Sequence, residues 1–200
     1  MGKIMHPITL KVFIDKNSEP QTNESLLKLK RIEEISNDKL EFEILFNNEK
    51  NDLIDKYQIK RFPTILLTDM EGRELIRYLS IPQGSELRPF IQALQVLSGE
   101  KNYYEPVLKE NLKNIKSSKI KVMVSKSCAY CPELITTVSQ FSLGSSGKIK
   151  AEIIDIGENP DIGNQYDIDT VPYMVINDGS PLIGLISPHE LLEQLLNNSR

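Results

Sequence analysis

Sulfur and imidazole are scarce in this sequence, which holds two cysteines and two histidines in 200 residues. His6 and His189 lie far apart, so a four-ligand structural zinc site would need an unusual set of carboxylates. A surplus of one charge is missing too. Residues 1–100 carry 14 basic and 16 acidic side chains and residues 101–200 carry 10 and 12, so each half is near −2. With no basic patch or tail, nothing argues for nucleic acid. Long apolar runs are also absent. The opening MGKIMHPITLKVFI is too short in apolar residues for a signal peptide, and no later segment approaches a membrane span. The expected compartment is the cytoplasm, where structural disulfides are rare and a Cys-x-x-Cys is more often redox-active or metal-binding. An apolar fraction of 40% is enough for a core in one or two domains, and disorder is not expected.

Both cysteines fall in one stretch, Lys121 to Val138, KVMVSKSCAYCPELITTV. It reads as an apolar strand (Val122, Met123, Val124), a polar turn, and then Cys128-Ala-Tyr-Cys131 opening an amphipathic helix. Two thiols three positions apart at a helix start can close and open a disulfide ring with little backbone movement. Unsatisfied N–H groups and the helix dipole favour a thiolate there, and Lys126 is expected to add to that field. Attack on a partner's disulfide gives a mixed disulfide that Cys131 resolves, with no cofactor beyond the pair itself. Pro132 is compatible, because a first-turn position has no intrahelical N–H bond to lose.

In chain order, Met1 to Pro7 reads as a frayed or loosely paired tip and Ile8 to Ile14 as a buried strand. A polar turn, Lys16 to Asn23, leads into a helix over Glu24 to Ile35. Leu40 to Phe46 is a second strand and Lys50 to Tyr57 a short helix. Pro63 stands at the entrance of a strand over Ile65 to Leu67, Glu74 to Leu79 returns, and Ser85 to Leu97 closes the unit. Polar residues Gly99 to Asn102 mark a boundary between domains 1–100 and 101–200. After an added helix, Tyr104 to Ile115, the order repeats: strand Ile120 to Ser125, helix Pro132 to Phe141, strand Ala151 to Ile156, helix Asn159 to Tyr166, strand Tyr173 to Ile176. Asn177-Asp178-Gly179 is a hairpin signal before a strand over Pro181 to Leu185, and Pro188 to Asn197 is the last helix. A period of about 110 residues is a duplicated domain, not a solenoid repeat. It places Cys128 and Cys131 on Ser18 and Gln21, and Pro63 lies one residue from the position matching Pro172.

The segments SKSCAYCPEL, TVPYMVINDG and RYLSIPQGSEL resemble the thioredoxin and glutaredoxin superfamily. Two such units in tandem resemble the glutaredoxin-like protein disulfide oxidoreductases of archaea and thermophilic bacteria. They also resemble the N-terminal domain of the flavoprotein component of bacterial alkyl hydroperoxide reductase. The resemblance implies an α/β fold of two tandem thioredoxin-like domains, each a central mixed four-stranded sheet flanked by helices. It implies that Cys128 attacks and Cys131 resolves, and that Val171-Pro172 forms a cis-proline loop contacting the incoming peptide. The partners it implies are protein disulfides, a peroxiredoxin among them, with a flavoprotein disulfide reductase as donor. Ser18 and Gln21 in place of a first Cys-x-x-Cys bring the chain closer to the peroxide-reductase domain. The glycine pair of glutathione-using glutaredoxins is missing at Gly184 to Pro188.

Tyr130, beside the thiols, is either a plain surface aromatic or a partner contact. Ser18 has no histidine to act as its base, which excludes a serine hydrolase. Glu152 and Asp155 are candidates to carry the proton that Cys131 loses, against the plainer reading of solvated carboxylates. Pro63 without thiols reads as a remnant of the fold, and His6 and His189 as surface residues. The competing function is a tandem-fold interaction module whose thiols hold a metal or a shared iron–sulfur cluster, which needs ligands from a second chain or a small thiol.

Overall fold

The structure, a computed structural model, describes residues 4–36, 39–48 and 52–197. Strand β1 (Ile8–Ile14) is rich in β-branched and aromatic residues, and its last three, Val12, Phe13 and Ile14, are all buried. It pairs in parallel with β2 (Leu40–Phe46) and antiparallel with β3 (Thr64–Thr68), which pairs antiparallel with β4 (Glu74–Tyr78). Helix α1 (Glu19–Ile35) connects β1 to β2, and α2 (Asp52–Lys56) precedes β3. The second half repeats this plan with β5 (Ser118–Val124), α5 (Cys131–Gly144), β6 (Ile149–Asp155), α6 (Pro160–Gln165), β7 (Tyr173–Ile176) and β8 (Leu182–Ile183). A 3-10 turn (Gly84–Glu86) with α3 (Leu87–Leu97) and α4 (Glu105–Asn111) link the halves, and α7 (Pro188–Asn197) ends the chain. The fold is therefore two tandem thioredoxin-like units, each with a mixed four-stranded sheet and helices.

The two sheets are one. Strand β4 pairs in parallel with β6, Ile76 opposite Ala151 and Tyr78 opposite Ile153, giving the order β2-β1-β3-β4-β6-β5-β7-β8. The Leu79 N–H donates to Ile153 O at 2.9 Å and extends the seam. Ser142 of α5 is fully buried above it, its hydroxyl reaching Leu75 O at 2.6 Å on one side and Ile149 O at 2.8 Å on the other. Asn159 does the same from the other end, donating to Leu79 O at 2.8 Å and Asp155 O at 3.0 Å. Buried backbone acceptors are costly to leave unbonded, and these two side chains add donors at both ends of the junction.

One continuous core covers the α5 face of the sheet. Leu134, Ile135 and Val138 of α5 sit with Ile120, Val122 and Val124 of β5, Ile153 of β6, and Ile76 and Tyr78 of β4. Phe90 of α3 meets Tyr78 edge-on, with ring centroids 5.1 Å apart. A smaller cluster, Met123, Ile154, Ile162, Tyr173 and Val175, lies on the α6 face.

Several boundaries differ from the sequence reading. Ile4 is buried and the Met5 N–H donates to Ser98 Oγ at 2.9 Å, so the described part of the N-terminal tip is tethered and not frayed. Helix α1 starts five residues earlier than periodicity indicates, because polar first-turn positions carry no apolar signal. Lys50 and Asn51 of the expected short helix lie outside the described residues. The last strand is two residues long where five were expected, since Gly184 at φ +86° turns the chain away after Ile183. The hairpin before it forms as read, with Asn177 and Asp178 both at positive φ.

Ile153→Ala, at the seam, is expected to cost about 3 kcal/mol of stability, seen as a lower urea midpoint. The same change at Ile183, which is 61% exposed, is expected to stay within about 0.5 kcal/mol.

Candidate functional site: the Cys128–Cys131 disulfide

The turn after β5 delivers both sulfurs. The Cys128 N–H donates to Ser125 O at 3.1 Å and closes the turn, and α5 begins at Cys131 with Pro132 in its first turn. Cys128 and Cys131 form a disulfide, their Cα atoms 5.5 Å apart. The two sulfurs are unequal. Cys131 is fully buried in the main core, whereas Cys128 is half-buried at the surface. The Cys131 N–H, at the open end of the helix, points at Cys128 Sγ at 3.1 Å. That donor and the helix dipole favour negative charge on Cys128 when the ring is open.

The Val171–Pro172 peptide is cis, and Val171 O lies 3.7 Å from Cys128 Sγ. The structure thus brings Cys128, Cys131, Val171 and Pro172 together. Tyr130 precedes Cys131 with a 66% exposed side chain at the rim. Phe62–Pro63 is also cis, beside a cleft of about 290 Å³ whose lining includes Gln21 and Asp15. Ser18 caps α1 there, bonded through its carbonyl to the N–H and hydroxyl of Thr22, with no thiol at either position. The larger groove, about 880 Å³, is lined from β4, β5, β6 and α6 and includes none of the sulfur-bearing residues.

Lys126, expected to add to the field at the thiols, is held by acidic partners. Its ammonium bonds Glu158 and lies 3.7 Å from Asp155. Burial works against its charge, and the bond and Coulombic attraction to Glu158, with help from Asp155, outweigh this. Glu152 is nearly buried and ion-paired with Lys119 at 2.8 Å. Asp155, also buried, receives the N–H of Gly157 at 2.7 Å through Oδ1, while its Oδ2 accepts no hydrogen bond.

The group facing Asp155 is Glu86, which the sequence reading passed over. Its carboxyl is fully buried in the 3-10 turn and its Oε1 likewise lacks a donor. Burial first, then the charge of Asp155, raise its pKa to about 8, with Lys126 pulling the other way. No sequence signal marks this residue, because Glu at the start of an amphipathic helix ordinarily faces water. Among the described residues no cluster of three or more His, Cys, Asp or Glu is placed to hold a metal, and no helix is long and apolar enough to cross a membrane.

A strand–turn–helix unit holding a Cys-x-x-Cys disulfide at the helix start, beside a proline loop, defines a thiol–disulfide oxidoreductase. Residues 118–197 match the thioredoxin domain family. Over 77 residues the chain is 30% identical to the thioredoxin of Methanocaldococcus jannaschii, covering 38% of this chain and 91% of that one. A protein disulfide oxidoreductase of Aeropyrum pernix is 25% identical, covers 98% of this chain and 87% of its own, and superposes with a TM-score of 0.85. The alkylhydroperoxide reductase AhpF of Enterococcus faecalis is 24% identical with the same TM-score, over 96% of this chain and 92% of that one, a likeness of fold. The chain belongs to the thioredoxin family, and its chemistry is thiol–disulfide exchange.

Folded Glu86 keeps its proton to about pH 8, and the unfolded chain loses it near the ordinary carboxyl range. Unfolding then releases a proton between about pH 4.5 and 8, so this group lowers stability by up to about 1.4 kcal/mol per pH unit as pH rises across that window. Thermal unfolding should show this slope, and Glu86→Gln should flatten it.

Proposed function

We propose that the chain passes electron pairs to and from protein disulfides through Cys128, with Cys131 as the resolving thiol. The observation that carries this is the inequality of the sulfurs: Cys128 is reachable from solvent and Cys131 is fully buried. In the reducing direction the Cys128 thiolate attacks one sulfur of a target disulfide, and the other target sulfur leaves as a thiolate. Cys131 then loses its proton and attacks Cys128 Sγ, so the mixed disulfide breaks, the target keeps two thiols and the Cys128–Cys131 bond re-forms. Two electrons have moved to the target. Tyr130, Val171 and Pro172 are the surface that meets the target chain, with Val171 O turned to the reacting sulfur. Of the two strand carboxylates, Asp155 is the proposed carrier of the Cys131 proton, Glu152 being ion-paired with Lys119.

The proposed donor is a flavoprotein disulfide reductase, the proposed acceptor a protein disulfide such as that of a peroxiredoxin, and the proposed compartment the cytoplasm. The fold likeness to the Enterococcus faecalis reductase and the restriction of thiols to one half support this relay. The division into a thiol-less unit, 1–100, and an active unit, 101–200, belongs to the same proposal.

Cys131→Ser should trap insulin as a mixed disulfide on Cys128, visible as a mass shift that dithiothreitol reverses. Cys128→Ser should trap nothing and abolish insulin reduction. Equal trapping through either cysteine would reject the assignment of roles.

A further inference from the structure

The thiol-less half meets the active loop at Gly84 and Ser85. The Ser85 N–H donates to Lys126 O at 3.0 Å, and the Ser85 hydroxyl donates to Ser125 O at 3.1 Å. Ser125 O is also the acceptor that fixes Cys128, whose N–H reaches it at 3.1 Å. Gly84 makes the approach possible. It sits at φ +53°, and a Cβ there would lie 2.6 Å from Lys126 O. Two adjacent residues of one half therefore press on the two carbonyls that lead into the attacking cysteine of the other.

We infer that Ser85 is a positioning residue for Cys128, holding the Ser125–Cys128 turn in register with the Cys131 N–H. The inference rests on the reading of Cys128 as the attacking thiol. In the oxidised protein the disulfide ring itself ties Cys128 to α5, so the clamp is redundant. In the dithiol form the ring is open, and the Ser125 carbonyl that Ser85 holds still anchors the N-terminal side of Cys128. A sulfur displaced from the helix N-terminus loses the donor that favours its thiolate. The function of the first half in exchange is then to keep the reduced sulfur in place.

The test uses the full chain with Ser85→Ala, and the matched pair Ser85→Thr and Ser85→Val, which differ mainly in the hydroxyl. Iodoacetamide labelling of Cys128 is followed by mass spectrometry across pH, and thermal midpoints are taken in both redox forms. Removing the hydroxyl, in Ala and Val, should slow Cys128 labelling at pH 7 roughly fivefold, the size of one ordinary hydrogen bond, and raise its pH midpoint. Thr should restore both, and the thermal midpoint should drop more in the reduced than in the oxidised protein. Labelling and pH midpoint unchanged in both Ala and Val, with equal thermal losses in the two redox forms, would overturn the inference and leave Ser85 an ordinary packing contact. Wild-type Cys128 labelling no faster than free glutathione would instead overturn the reading of Cys128 as the attacking thiol.

Discussion

The parallel pairing of β4 with β6 is the constraint on which the rest of this structure depends. It joins two four-stranded sheets edge to edge, so strands that would otherwise expose unpaired backbone are covered by each other. Burial of both faces at the junction follows, with Ser142 and Asn159 donating to carbonyls on both sides of it. Once β4 is fixed there, the chain leaving it must pass the turn that carries Cys128. Gly84, Ser85 and Glu86 are thereby set against Ser125, Lys126 and Asp155.

This placement changes the meaning of the first half. By sequence it is a copy without thiols, Ser18 and Gln21 standing where the cysteines fall in the second. Its helix start is built differently, with Ser18 capping a helix that begins at Glu19, two positions earlier in the repeat than α5 begins. What it supplies lies at its other end, in a buried carboxyl and a pair of backbone contacts to the active turn. An acid that keeps its proton at neutral pH is unusual, and here burial beside a second carboxylate accounts for it.

Much of the fold was legible in the sequence. Alternation located β1 and β2 to the residue, and the proline and leucine pattern located α7 from Pro188 to Asn197. The Cys-x-x-Cys and the Val171–Pro172 dipeptide could be read because each has a local pattern, and the structure puts them side by side. The seam left no such pattern. Which strand edges meet depends on complementary packing between segments far apart in the chain, and each edge looks like any other apolar strand. Glu86 and Ser85 were hidden for the same reason, since a polar residue near a helix start looks solvated until its neighbours from the other half are known. The pairing of Lys126 with Glu158 was likewise invisible at the level of the Cys-x-x-Cys motif.

Hydrogen exchange at single-residue resolution tests most directly whether the active turn is built on one sheet. The amides of Leu79, Ala151 and Ile153 should be protected as strongly as those of Val122 and Val12 in the sheet centres, opening only with global unfolding. Exchange at the seam many times faster than at those centres would show two separately opening domains, and would remove the physical basis for an active turn held from the other half.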